Sequence, residues 1–193
     1  MRTHRLSSRA LLTLGTLLGL HAFAWPLYLP NSEFFLFQAN SSRALALVIA
    51  FIAIGVVSLD ISNGALDSKS VALLGVMSAL IAALRLVGAG AIGVEPMWFL
   101  LILSSFVFGA RYGFSLGVIA LGISAIVTGG IGPWLPFQML AAGWIGLVGG
   151  LVGSVARNFS LLAQRIVLIS LAIFSSLAFR SEEHTSELQS RVD

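Results

Sequence analysis

The side chains best suited to holding a small molecule lie in residues 128–138, which read Thr-Gly-Gly-Ile-Gly-Pro-Trp-Leu-Pro-Phe-Gln. Glycine permits backbone conformations that are closed to other residues, and proline fixes its own φ. We therefore expect a stiff, non-helical turn that displays Trp134, Phe137 and Gln138. An indole, a phenyl ring and a carboxamide provide apolar walls and a hydrogen-bonding group, which is what a small-molecule site generally needs. The turn glycines Gly130 and Gly132 would support such a site.

Arg85 is the one charge that lies well inside an apolar segment. It follows Ser70 by 15 residues, about 22 Å along a helix, which would place it in the outer third of a bilayer. It either anchors a polar or anionic ligand, pairs with Glu95 across a glycine-rich turn, or extends to the membrane surface. Glu95 itself, next to Pro96, is either a ligand-binding group or a solvated loop charge.

Three tryptophans are candidates for lining a pocket. Tryptophan is enriched where a membrane meets water, and this aromatic belt is our interpretation of Trp98. Trp134, beside two prolines, is the better pocket candidate, and Trp144 is a third.

Catalysis is hard to build from the remaining side chains. Outside residues 180–193 the chain has four carboxylates and two histidines, and it has no cysteine. A serine–histidine pair needs a histidine facing a serine, and a metal needs several converging ligands. We see neither pattern, so we expect no catalytic site, no metal site and no covalently bound cofactor.

The composition places these residues in a membrane. The chain has 193 residues, of which 58% are hydrophobic and 10% charged, and its mean hydropathy is +0.98. A soluble domain carries roughly a quarter charged residues. We expect an all-α polytopic integral membrane protein with about seven transmembrane helices. The predicted spans are 10–29, 43–59, 70–87, 97–109, 114–127, 137–155 and a segment from 162 that is cut at 179, with a short turn at 110–113.

Lysine and arginine predict the orientation, because cytoplasmic loops carry an excess of both. With a cytoplasmic N-terminus, the outer side has only Arg43 once residues 180–193 are set aside. This topology puts 88–96 and 128–138 together on the external face. Residues 22–24, Ala-Phe-Ala, leave open a cleaved signal in place of a first span. The basic residues on the inner side are Arg2, Arg5, Arg9, Lys69, Arg111, Arg157 and Arg165.

Small residues recur on two predicted spans. Gly75, Ala79 and Ala83 lie at i, i+4 and i+8, a ridge that lets another helix approach closely. That helix belongs either to this chain or to a separate docking subunit. The glycine-rich sixth span, with Gly143, Gly146, Gly149, Gly150 and Gly153, suits either purpose.

Three segments resemble one family of transport proteins. They are 73–77 (Leu-Leu-Gly-Val-Met), 108–114 (Phe-Gly-Ala-Arg-Tyr-Gly-Phe) and 128–140, which contains Gly-Pro-Trp-Leu-Pro-Phe-Gln. Together they look like the substrate-binding S components of energy-coupling factor (ECF) transporters, and most like the cobalamin-type subgroup. The likeness covers residues 67–155, and its Gly-Pro-Trp-x-Pro-Phe-Gln signature is the most specific part.

The resemblance implies a six-helix core in a prokaryotic cytoplasmic membrane that binds a vitamin or precursor at its external face. It also implies a transmembrane coupling subunit, docked on Gly75, Ala79 and Ala83, and two cytoplasmic ATPases. The chain has no phosphate-binding loop of its own. Cobalamin leads among the ligands, while riboflavin, thiamine, biotin and a queuosine precursor stay open. Its scattered positive charges do not suggest a nucleic-acid partner.

The end of the chain departs from this pattern. Residues 180–190 match, in order, the in-frame translation of a widely used sequencing adapter. We therefore divide the chain into two N-terminal transmembrane helices (1–66), an S-component-like core truncated at its last helix (67–179) and a non-native tail (180–193). The alternatives to an S component are a self-contained secondary transporter and a non-transporting membrane scaffold.

Overall fold

The computed structural model describes residues 10–17, 19–20, 39–64, 66–88, 96–132 and 134–189. Every regular element within these ranges is an α-helix. Helix α1 comprises the helical residues 10–17 and 19–20. The later helices are α2 (Ala39–Ser62), α3 (Ser68–Gly88), α4 (Pro96–Phe108), α5 (Ala110–Thr128), α6 (Leu135–Ala156) and α7 (Leu161–Gln189).

Three of the described helices are long and apolar enough to cross a membrane. The segments are Ser68–Leu86 and Ala110–Thr128, of 19 residues each, and Leu135–Ala156, of 22 residues. A bilayer core needs about 20 apolar residues in a helix. Shorter apolar stretches lie in α2, α4 and α7. The fold is therefore all-helical over the described ranges and contains three candidate membrane spans.

The predicted turn at 110–113 is wrong. Those residues form the first turn of α5, and Gly109 alone separates α5 from α4. Gly109 has a φ of 96°, which lies in the region that only glycine adopts readily. Its N–H donates to the Ser105 carbonyl at 2.8 Å, and its own carbonyl accepts from Gly113 at 2.9 Å. One glycine thus reverses the chain without a loop.

Helix α5 lies at the centre of the bundle and contacts α2, α3, α4 and α6. At its closest points, the contact with α6 is made by backbone atoms. A Cβ on Gly146 would overlap the carbonyl of Gly113, and a Cβ on Gly117 would overlap that of Ala142. A Cβ on Gly153 would likewise overlap the backbone of Phe106 in α4. The glycines of α6 therefore serve packing within this chain, which is one of the two purposes that their spacing suits.

The aromatic-belt interpretation of Trp98 is wrong. Trp98 is 1% exposed and belongs to the main apolar core, together with Met97, Leu101 and Phe114. A belt residue has to face the membrane surface, whereas this side chain packs between helices. Trp144 is half-buried, and its ring lies against Gly19 of α1.

The connection between α2 and α3 is shorter than its polar sequence suggests. Asp60 and Lys69, which lie between the predicted spans 43–59 and 70–87, belong to helices, with Asp60 in the last turn of α2 and Lys69 in the first turn of α3. Asp67 caps α3, because its carboxylate accepts a hydrogen bond from the Ser70 N–H at 2.9 Å. Its carbonyl accepts from Val71 at 3.1 Å. The cap explains where α3 begins.

We expect the start of α3 to weaken in acid. Hydrogen bonds from the Ser70 side chain and backbone lower the pKa of Asp67 below its usual 3.8. Because this pKa is lower in the folded state than in the unfolded state, the cap stabilises α3 fully when the pH is above the unfolded-state pKa. The stabilisation is lost as the pH falls through the lower, folded-state pKa. The variant Asp67→Asn is the reference, because asparagine can cap a helix but does not titrate. Below about pH 4, the ratio of the wild-type amide exchange rate at Ser70 and Val71 to that of the variant should therefore rise. Equal pH profiles for the two proteins would contradict this assignment.

Candidate functional site

Two of the predicted site residues meet in the structure. The Arg85 guanidinium, on the last turn of α3, donates through Nη2 to the Gln138 side-chain oxygen Oε1 at 3.2 Å. Through Nη1 it donates to the hydroxyl of Ser124 on α5 at 3.4 Å. The three residues lie at one end of the bundle, because α3 and α5 end there and α6 begins there. We call Arg85, Ser124 and Gln138 the polar triad.

Both contacts of Arg85 are long and are made to neutral oxygens. Hydrogen bonds from nitrogen to oxygen are usually about 2.9–3.0 Å, and charge-assisted ones are shorter. Within the described part of the chain no carboxylate lies within 4.0 Å of this guanidinium. The carboxylates of Asp60 and Asp67 lie at the other end of the bundle. Among the described residues, only neutral hydrogen-bonding groups therefore stabilise the charge of Arg85.

The loop above the triad is ordered by its glycines and by Thr128. Gly129 ends α5 in the left-handed conformation, with φ 68° and ψ 10°. The Thr128 hydroxyl donates to the Ser124 carbonyl at 2.8 Å and accepts from the Gly130 N–H at 3.2 Å. A Cβ on Gly132 would overlap the indole of Trp134. The indole of Trp134 therefore packs against Gly132, where a larger residue would overlap it.

The prediction of a non-helical stretch through Gln138 is wrong for its second half. Helix α6 begins at Leu135, so Phe137 and Gln138 are helical and only Trp134 stays outside. Pro136 occupies the first turn, where the missing N–H has no partner to lose and the fixed φ suits a helix.

Trp134 and Gln138 face the same way. The Gln138 N–H donates to the Trp134 carbonyl at 3.0 Å, one helical turn apart, and residues four apart share a helix face. The indole is 54% exposed, while Phe137 and Gln138 are half-buried. An exposed ring and a half-buried carboxamide thus share one face of the helix, and the carboxamide contacts the half-buried Arg85.

The other predicted site residues are not part of this group. Glu95 lies outside the described residues, so its proposed pairing with Arg85 stays a prediction. Gly75, Ala79 and Ala83 lie on the surface of α3, and a Cβ on Gly75 would meet no atom within 4 Å. We call these three residues the α3 stripe. Unlike the glycines of α6, they are not covered by another described helix.

Sequence reasoning missed Ser124. Between Phe114 and Val127 the only polar side chains are Ser115 and Ser124. Ser124 is fully buried and lies one turn before the polar Thr128 at the end of α5. A polar residue so close to the predicted ligand loop could have been recognised from the sequence as a candidate site residue.

A second polar group lies at the opposite end of the bundle. The Arg111 side chain forms an ion pair with Asp60, which is 3% exposed, and so joins α5 to α2. Nearby, Arg157 donates through Nη2 to the Val107 carbonyl at 2.9 Å. These contacts tie α6 to α4 and α5 to α2. Each cation is thus used by the chain itself, in a structural role.

An apolar groove of about 310 Å³ lies between α6 and α7. It is lined only by apolar side chains, and it contains none of the triad. Its chemistry suits a hydrocarbon surface and not a polar ligand. Its lining residues are Leu151, Val152, Val155, Ala156, Phe159 and Val167.

Comparison with protein-family models, with curated proteins and with solved structures finds no match for this chain. The support for a function therefore comes from its own residues and their geometry.

Proposed function

We propose that this chain is a polytopic membrane protein that captures a small solute at its external face, as the substrate-binding component of an ECF-type vitamin uptake transporter. Cobalamin is the favoured solute. A separate coupling subunit and two ATPases would move the solute inward. The chain itself would bind and release it without chemistry.

The observation that carries this proposal is the polar triad. Arg85 and Gln138 are separated by 53 residues, and the sequence alone predicts each of them as a ligand-binding group. They meet where α3, α5 and α6 converge, beneath a glycine-ordered loop with an exposed indole. All three lie near the ends of candidate membrane spans, and polar or charged groups within such spans are usually functional. Their convergence supports a binding site at this end of the bundle.

The distribution of charge supports an external position for that site. Lys69, Arg111, Arg157 and Arg165 all lie at the end of the bundle opposite the triad. Cytoplasmic segments carry the excess of basic residues, so that end would face the cytoplasm. The triad would then open outward, as capture of a solute requires.

The α3 stripe supports the proposed coupling subunit. Its three small residues are exposed along one helix, and small residues let a second transmembrane helix approach closely. The tight helix contacts within the described part of the chain use a different set of glycines, on α5 and α6. A partner helix could therefore use the stripe without displacing them.

We expect the purified protein to bind one vitamin tightly and to report it by a change in tryptophan fluorescence. Trp134→Ala and Gln138→Ala should each weaken binding about tenfold, which corresponds to roughly 1.4 kcal/mol, the size of one lost contact. The measurement is a titration with cobalamin, riboflavin, thiamine, biotin and a queuosine precursor.

Trp144→Phe is the control, because it removes an indole that packs against α1 and leaves the loop intact. It should change the signal without changing the affinity. A flat response across the panel from folded protein would remove the vitamin-capture proposal. A secondary transporter or a scaffold would then be the better explanation.

A further inference from the structure

We infer that the solute carries a carboxylate or a phosphate, and that this anionic group binds to Arg85 between α3, α5 and α6. The inference rests on the proposed function, because it assigns the chemical class of the ligand that the same site receives.

Among the described residues, the charge and the hydrogen bonding of Arg85 are out of balance. A guanidinium has five N–H donors and prefers oxyanions, which it binds in pairs of short hydrogen bonds. Here two donors reach neutral oxygens at 3.4 and 3.2 Å. A charge in a membrane-spanning helix is costly unless an opposite charge or strong hydrogen bonds compensate it. Two long contacts to neutral oxygens provide little of that compensation.

Arg111 provides a contrast within the same molecule. Arg111 is paired with the buried carboxylate of Asp60. At this buried contact between α5 and α2, the chain neutralises the arginine with a carboxylate of its own. At Arg85 the corresponding place is taken by Gln138, an uncharged residue of nearly the same shape as glutamate. Among the described residues, a neutral partner thus holds the guanidinium in position and leaves its charge for a ligand.

The Arg85 side chain also points inward. An arginine that extends to lipid headgroups points away from the bundle, toward the membrane surface. Arg85 instead reaches Ser124, which is 0% exposed. The hydroxyl of Ser124 and the amide nitrogen of Gln138 add further donors beside it. A group of donors around one cation suits an anion and repels a cation such as thiamine.

The test uses matched pairs of compounds that differ in one anionic group. For carboxylate the pairs are biotin with biotinamide, pantothenate with pantothenol, and nicotinate with nicotinamide. For phosphate the matched pair is riboflavin 5′-phosphate with riboflavin. Cobalamin is also compared with cobinamide, which lacks the phosphodiester together with its ribose and base, so this comparison counts only where Arg85→Gln removes the difference in affinity. Affinities are measured for the whole chain in nanodiscs of zwitterionic lipid.

We expect one anionic compound to bind at least about tenfold more tightly than its neutral partner. Arg85→Gln should abolish that preference. Gln138→Glu should do the same by supplying Arg85 with an internal carboxylate, and it should also raise the melting temperature of the ligand-free protein. Arg165→Gln, which removes an exposed charge from the other end of the bundle, should retain the full preference.

Each other outcome overturns the inference. Equal affinity within every pair, or a preference that survives in Arg85→Gln, would leave vitamin capture standing and refute the anionic class. No binding by any folded variant would refute the proposed function and the inference together. If anionic lipid stabilises the wild type but not Arg85→Gln, and no solute competes with it, the anion at Arg85 is a lipid headgroup.

Discussion

Replacing Gly146 by leucine is expected to destabilise the bundle more than a typical substitution in its core. Helices α5 and α6 touch through backbone atoms at this glycine, and the opposing group is the carbonyl of Gly113. Neither side of the contact has a side chain that can rotate away. Overpacking costs about 1–3 kcal/mol where side chains adjust, and here a helix must move, so we expect one of the exceptional losses of about 5 kcal/mol or more. Reversible unfolding of the detergent-solubilised protein measures the loss.

Gly75→Leu is the matched control for this prediction. It makes the same change in another apolar helix, at a position where a Cβ would meet nothing within 4 Å. It should unfold like the wild type. Equal destabilisation by the two substitutions would show that loss of glycine from a helix, and not the closeness of α5 and α6, causes the effect.

Replacing Arg111 by glutamine is expected to have the second largest effect. It removes the arginine that pairs with Asp60, a carboxylate that is 3% exposed. Removing one partner of a buried ion pair costs about 3–5 kcal/mol. The reverse change, Asp60→Asn, should cost less, because the Arg111 side chain is 34% exposed and can be hydrated.

The double variant Arg111→Gln with Asp60→Asn should recover much of the lost stability, since no buried charge is then left alone. The free energies of unfolding of the four proteins form a double-mutant cycle that isolates the pair. If Asp60→Asn proves at least as destabilising as Arg111→Gln, the burial of the Asp60 carboxylate is not what makes the loss of Arg111 costly.

The helices were largely predictable, because a long apolar segment has few alternatives to a helix. Each predicted span from 70 to 155 coincides with an observed helix to within a few residues, apart from the start of α5. The errors come from glycine and proline. Gly109 makes a reversal that needs no further residues, and Pro136 lies in the first turn of a helix where its sequence context suggested a non-helical turn. Both residues allow two local structures, and tertiary packing decides between them.

Two members of the triad, Arg85 and Gln138, were predicted individually, but their contact with each other was not. Arg85 and Gln138 are conspicuous because each is a polar group at an unusual place in an apolar chain. Their contact depends on the level at which α3 and α6 meet, which local sequence does not contain. Ser124 was missed because serine is common in membrane helices, where its hydroxyl often bonds to its own backbone. Trp98 was misassigned because an indole suits an interface and a core equally well.

The backbone contact between α5 and α6 also limits how this sequence can diverge. At Gly113, Gly117 and Gly146 even one methyl group would overlap a neighbouring backbone or side chain. At Gly122 an added Cβ would lie 3.5 Å from the tip of Met139, an ordinary contact. The glycines of these two helices therefore fall into two kinds that the sequence does not distinguish. A homologue can acquire alanine at Gly122 at little cost, whereas a change at Gly146 requires a helix to move.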